Sequence, residues 1–204
     1  MRTLQPLAYR SEAWYAMRLD SIGGSDIGVI VGMSPFASRD DLMHAKLTGH
    51  RLAETPAMEA GLLLEPMAAR RAAEALDAEP MDAADTVWRD GRRHYTPDGV
   101  LVLDGSHALL EVKTGAFLSA GHGWGKPSPD TYDPDAIPQW VLAQVQWGLM
   151  LSGLTLSYVA AMPRVSLALN LYRVEADPAI HAYLAREADA FLADLDTARK
   201  ELAA

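Results

Sequence analysis

The 204-residue chain has no cysteine. Disulfides, thiolate zinc sites and cysteine-ligated iron–sulfur clusters are therefore excluded. Positive charge is scarce: 18 Lys and Arg stand against 27 Asp and Glu, a net charge of −9. That balance excludes a protein that coats nucleic acid through an overall basic surface, but not a site that is cationic only locally. No apolar run approaches the roughly 18 residues of a membrane span, and Met1 to Arg10 holds no apolar core of signal-peptide length. The expectation is a cytoplasmic protein without a membrane partner. What the chain does have is a half-hydrophobic composition, enough to bury one core, so residues 1–204 are read as a single domain.

The charge is uneven. Residues 1–51 carry a balance of +1 through Arg2, Arg10, Arg18, Arg39, Lys46 and Arg51, leaving −10 for the rest. Arg89, Arg92 and Arg93 form a second basic cluster beside Asp90. An anionic partner would be drawn to these segments, although charge alone favours ordinary surface scatter.

Local signals give the element order. Ser38 with Asp41 three residues later is a capping box that opens a short helix, closed by Gly49. Met58, Leu62, Ala69, Ala72 and Leu76 recur at helical spacing, and Pro66 should kink or restart that helix. Val87 to Tyr95 reads as an extended ribbon. Val100–Leu103 and Ala108–Thr114 read as strands joined through Asp104-Gly105, a hairpin signal. Residues 121–138 hold too much Gly and Pro for regular structure and are expected to form a long loop. A helix from Gln139 to Leu151 stops at Gly153. Strands Thr155–Ala161 and Leu167–Val174 follow, the second marked by alternating Leu167, Leu169 and Leu171. Asp177-Pro178 then opens a final helix, whose Glu187, Asp189, Asp194 and Asp196 read as a solvated face or a subunit contact. The sum is an α/β (α+β) fold, a mixed sheet flanked by helices.

Several polar residues sit in unexpected places. Glu111 and Lys113, two apart in a strand, point to one face while Leu110 and Val112 point to the other. Asp98 stands at the entrance of the neighbouring strand, where the hairpin can carry it to Glu111. Converging carboxylates repel one another, and favour a shared proton or a hard divalent cation. Glu65 lies on the inward stripe of its helix, where an unpartnered carboxylate is costly. Taken singly, each of these has an ordinary reading as a paired or capping charge. Upstream, Arg18 precedes Ile22-Gly23-Gly24-Ser25-Asp26. Ser25 is a natural N-cap there, and a helix N-terminus with a hydroxyl and an arginine in reach can bind phosphate.

Pro97-Asp98 followed by Glu111-Val112-Lys113 resembles the PD-(D/E)-x-K nuclease signature. With the Arg18 to Ser25 segment, Gly61…Leu64-Glu65-Pro66 and Gln144-Val145-Gln146-Trp147, the set resembles the phage lambda exonuclease family, the YqaJ-type viral recombinases, over roughly residues 10–160. One departure is that Val141 stands where an aromatic is expected, with Trp140 beside it. The resemblance implies a restriction-endonuclease-like core and a metal-dependent 5′-to-3′ exodeoxyribonuclease. Such an enzyme digests one strand of linear duplex DNA to mononucleotides and leaves 3′ single strands. It implies that Asp98, Glu111 and the Val112 carbonyl hold Mg2+ (with Mn2+ as a substitute) and that Glu65 binds a second ion or its water shell. It further implies that Lys113 positions the attacking water, that Gln144 contacts that water or the scissile phosphate, and that Arg18 and Ser25 take the 5′-phosphate of the DNA end. A homotrimeric ring, a single-strand annealing partner and a phage or prophage setting complete what the resemblance implies. A ring could keep a positive channel inside an acidic exterior. Beside this stand a non-catalytic DNA-end-binding module and an endonuclease of the same core. Trp124, Lys126, Arg92 and Arg93 are candidate DNA contacts, with loop packing the competing reading for Trp124 and Lys126. His94 lies four residues before Asp98 but lacks metal-ligand spacing. Trp140 and Trp147 read as core.

Overall fold

A computed structural model describes residues 3–8, 11–50, 55–81, 86–115 and 122–204. Arg2, Arg10 and Arg51 of the basic N-terminal segment lie outside them. The elements run β1 (Thr3–Pro6), α1 (Glu12–Asp20), α2 (Gly24–Ile30), α3 (Arg39–Thr48), α4 (Pro56–Ala75), β2 (Glu79–Met81), β3 (Thr86–Asp90), β4 (Arg93–Tyr95), β5 (Gly99–Leu103) and β6 (Ser106–Gly115). Then come β7 (Ser128–Tyr132), α5 (Gln139–Ser152), β8 (Leu156–Pro163), β9 (Asn170–Glu175) and α6 (Pro178–Leu202). A sheet of order β2-β5-β6-β8-β9-β7 forms the centre, and β1-β3-β4 form a second, smaller sheet.

The hairpin β5–β6 turns at Asp104 and Gly105, both with positive φ (48° and 76°), the twist a two-residue hairpin loop requires. Strand β6 then pairs in parallel with β8, and α5 is the crossover between them. Alternation along β6 assigns its two faces. Ala108, Leu110 and Val112 pack with Ala68, Ala72 and Ala73 of α4, while Leu109 joins the apolar cluster of α5 and α6. Both faces of β6 are therefore covered, as parallel pairing in a helix-flanked sheet requires. Glu111 and Lys113 share the face of Leu109 and meet α5. The carboxylate that the sequence pattern directs out of the apolar face is buried in consequence, with Glu111 only 1% exposed.

The caps at Ser38/Asp41 and Asp177 form as their residues dictate. Elsewhere the structure differs from the sequence expectation. Helix α4 runs unbroken through Pro66; the ring removes one backbone donor, and packing of the alanine stripe on β6 holds the helix together. Within 121–138, residues Ser128–Tyr132 form an edge strand beside β9, and Pro134–Ala136 form a 3-10 turn. Proline is compatible with an edge, where one row of donors has no partner to meet. Leu167 has φ of 54° and lies in the turn before β9, so its alternation with Leu169 was not that of a strand. Helix α1 and the short strands β1 and β2 had no periodic signal.

Candidate active site

The register of the hairpin builds the first half of the site. Gly99 pairs with Leu110, which carries Asp98 alongside Glu111-Val112. Asp98 Oδ2 accepts the Val112 N–H at 2.7 Å. Glu111 is gripped on both oxygens. Its Oε2 accepts from the Tyr95 hydroxyl at 3.0 Å, and its Oε1 accepts from Lys113 Nζ and Gln144 Nε2, each at 2.6 Å. Lys113 Nζ also donates to Gln144 Oε1 at 3.0 Å. Glu111, Lys113 and Gln144 thus form a closed triangle of charge-assisted hydrogen bonds. The ammonium also stands over the Trp140 ring, 5.4 Å from its centroid. Trp140 is half-buried and edge-on to the exposed Phe36, so it borders the site instead of filling the core. Trp147 is core, with its indole N–H donated to the His94 carbonyl.

Gln144 and Gln146 divide their work by helix geometry, since residues two apart on a helix face different sides. Gln146 is fully buried. Its amide donates to the Glu175 carbonyl and accepts the Asp177 N–H, tying α5 to the start of α6.

The acids influence one another. Burial, then Glu111 and Glu65, push the Asp98 carboxyl well above the usual carboxylate range. Burial and Glu111 raise Glu65 as well. For Lys113, burial pulls down, but Glu111 and Asp98 outweigh it and raise the ammonium's pKa. Lys113 is therefore a charged donor here. Glu65 lines a cleft of about 250 Å³ with Gly61, Val112, Lys113 and Thr114. Among the described residues, no three His, Asp or Glu side chains are drawn into a ready-made metal shell. The chemistry of the side chains nonetheless fits a hard divalent cation: Glu111 lies near enough to Asp98 and Glu65 to raise their cost of ionisation, and Mg2+ accepts a few carboxylates while keeping waters.

A second cleft, about 240 Å³, is lined by Trp14, Arg18, Ser25, His94, Tyr95, Thr96, Asp98 and Gln144 among others. Arg18 Nη2 donates to Ser25 Oγ at 3.0 Å, and the guanidinium lies over the Trp14 ring at 4.7 Å. Ser25 is not the N-cap. Gly23 takes that position and its N–H is accepted by Asp26 Oδ2 at 3.0 Å. The reason is spatial: a Cβ on Gly23 would meet His94 Nε2 at 2.6 Å, and one on Gly24 would meet the Tyr95 ring at 3.0 Å and Gln144 at 3.2 Å. The glycine pair lets the helix start press against the site.

Sequence reasoning missed four residues here. Lys46, buried on α3, donates to the carbonyls of Arg18 and Ser21 (2.8 Å each) and to Asp26 Oδ2 at 3.0 Å. Lys46 and Arg18 outweigh burial and lower the Asp26 pKa to about 2. Tyr95 orients Glu111. The Thr96 hydroxyl is buried without a hydrogen-bond partner among the described residues and lines the Arg18 cleft. Only Asp26 had a sequence signal, its spacing from Gly23.

Other candidate DNA contacts sit elsewhere. Trp124 is buried and packs on Tyr172 at 5.1 Å, so the loop folds onto its own domain and the indole offers no face for stacking. Lys126 is exposed. Arg92 pairs with Asp196 and Asp20, and Arg93 with Asp189. Arg39 pairs with Asp194. The acidic face of α6 is thus partly neutralised by these arginines and is not simply solvated.

A mixed sheet flanked by helices, with one acid at the mouth of a strand, a second acid and a lysine on the next strand and a helix-borne glutamine beside them, defines a restriction-endonuclease-like core. Residues 13–155 match the model of the YqaJ-like viral recombinase domain, and the chain belongs to that family. Its fold is similar to that of LHK-Exo, an alkaline exonuclease from Laribacter hongkongensis. For that protein in complex with dAMP the TM-score is 0.71 at 22% identity, covering 94% of this chain and 96% of the other. A second structure of the same protein gives 0.69 at 23% identity, with the same coverage. A phage-related exonuclease from Haemophilus somnus 129PT gives 0.67 at 11% identity, covering 89% and 96%. No curated protein sequence gives a significant match.

Proposed function

We propose that the chain is a metal-dependent 5′-to-3′ exodeoxyribonuclease that trims linear duplex DNA to mononucleotides and leaves 3′ single strands. The observation that carries this reading is the shared cleft: Arg18 and Ser25 line the same cavity as Asp98 and Gln144. A terminal phosphate held at one end brings the next phosphodiester toward the acids at the other.

Asp98, Glu111 and the Val112 carbonyl would hold the divalent cation, Mg2+ or Mn2+, with Glu65 toward a second ion or its waters. Such a cation lowers the pKa of bound water and offsets charge on the scissile phosphate. The side chains do the rest. Tyr95, Lys113 and Gln144 fix both oxygens of Glu111, so the carboxylate is preorganised before DNA arrives. Lys113, held as an ammonium, orients the attacking water and faces the developing negative charge. Gln144 can turn one amide edge to that water or to a phosphate oxygen. Arg18 and Ser25 donate to the 5′-phosphate, and the Thr96 hydroxyl supplies a further donor in the same cleft. Lys126 remains a candidate contact beyond the site.

The wider setting is part of the same proposal: a homotrimeric ring, a single-strand annealing protein as partner, and action in the cytoplasm of a host bacterium on phage or prophage DNA. Digestion of end-labelled duplexes tests the core of it. Linear 5′-phosphorylated duplex with Mg2+ should release mononucleotides, 5′-hydroxyl duplex should react more slowly, and closed circles should survive. Circles cut as fast as linear DNA would turn the assignment to an endonuclease. Absence of nucleotide release with any divalent ion would leave a DNA-end-binding module.

A further inference from the structure

His94 is 1% exposed at the centre of β4, and its two ring nitrogens have different duties. Ser21 Oγ spends its one proton on the Met17 carbonyl. It can therefore only accept from His94 Nδ1, 2.8 Å away, which puts the ring proton on Nδ1 and leaves a lone pair on Nε2. That lone pair faces Arg18 Nη1 at 3.5 Å. The buried ring is anchored by its Nδ1 contact to Ser21, and its Nε2 edge packs so tightly on Gly23 that a Cβ there would stand only 2.6 Å away. The remaining sides of the guanidinium meet Ser25 Oγ at 3.0 Å, Asp26 Oδ1 at 3.7 Å and the Trp14 ring.

Resting on the reading of Arg18 as the binder of the terminal phosphate, we propose that His94 is a positioning residue. Through Nε2 it sets the Arg18 guanidinium toward Ser25, and so governs how strongly the enzyme prefers a 5′-phosphate to a 5′-hydroxyl end. Burial, followed by the charge of Arg18, lowers the His94 pKa to about 3, so the ring keeps its lone pair and does not repel the arginine. An apolar side chain would fill the same space without the burial cost of a polar ring, but would give the guanidinium no acceptor on this side.

The test compares single-turnover degradation of matched linear duplexes carrying 5′-phosphate or 5′-hydroxyl ends, with thermal midpoints recorded for every variant. The wild-type protein should favour the phosphate. His94→Phe should lower the ratio of the two rates by about ten-fold, the scale of one hydrogen bond to a charged group. His94→Gln, which keeps an acceptor, should recover part of it. Ser21→Ala, which leaves the ring but frees its tautomer, should lower the ratio less and serves if the histidine variants do not fold. A variant in which both rates fall equally, or the ratio is unchanged against a discriminating wild type, overturns the role of His94. A wild-type protein indifferent to the end group overturns the Arg18 reading itself, and this inference with it.

Discussion

Replacing Lys46 with methionine should be among the most damaging single changes distant from the reacting groups. The lysine is 5% exposed, and its ammonium makes three hydrogen bonds, one of them to Asp26. Methionine keeps the stem and removes the charge. Asp26 is then a buried carboxylate whose remaining support is the Gly23 N–H and the more distant Arg18, and breaking a buried pair from one side costs about 3–5 kcal/mol. For a domain of this size that is a fall in Tm of roughly 10 °C. The pH dependence gives a sharper signature. In the wild-type protein Asp26 titrates at about 2 against an ordinary 3.8. Its contribution, on the order of 2 kcal/mol, is therefore present above pH 3.8 and is lost as pH falls toward 2. In the variant, burial raises the same carboxyl, so the penalty is greatest at neutral pH and is relieved by acid. Urea unfolding of both proteins at pH 7 and pH 4.5 measures this, and the gap should narrow at the lower pH. Adding Asp26→Asn to Lys46→Met should restore part of the stability at pH 7. A loss below about 1 kcal/mol, or a gap that does not change with pH, would refute the reasoning.

Three further outcomes are expected. Lys113→Ala should abolish nucleotide release while duplex binding, followed by fluorescence anisotropy in Ca2+, is largely kept; a variant still releasing nucleotides near the wild-type rate removes the lysine from the mechanism. Gly148→Ala should destabilise by about 1–3 kcal/mol, since a Cβ there would stand 2.6 Å from the Tyr95 ring, and Tyr95→Leu should relieve most of that loss in a double-mutant cycle. Chelation of divalent ions should stop digestion, and Mg2+ or Mn2+ in excess should restore it; activity that survives chelation would contradict a metal-assisted reaction.

Much of this architecture was legible because local chemistry and tertiary packing agree. Asp104-Gly105 can make a twisted hairpin turn, and that hairpin alone brings Asp98 to Glu111. Strand alternation correctly put Glu111 and Lys113 on one face, but could not reveal that α5 covers that face, because coverage is set by a helix about thirty residues away. Pro66 does not restart the helix, because one lost hydrogen bond is outweighed by packing of Ala68 and Ala72 on the sheet. Proline and glycine in 121–138 hid a strand because edge pairing leaves spare donors. Lys46, His94, Tyr95 and Thr96 carried no pattern in the chain. Their significance comes from long-range contacts, and a lone buried lysine or histidine looks like any other until its partners are known.

The most direct test of the central claim is anomalous diffraction from crystals of the protein soaked in Mn2+. A manganese peak is expected between the carboxylates of Asp98 and Glu111 and the Val112 carbonyl, lost in the Asp98→Asn variant. A fully soaked crystal with no peak there, or with manganese bound only at other surfaces, would contradict it.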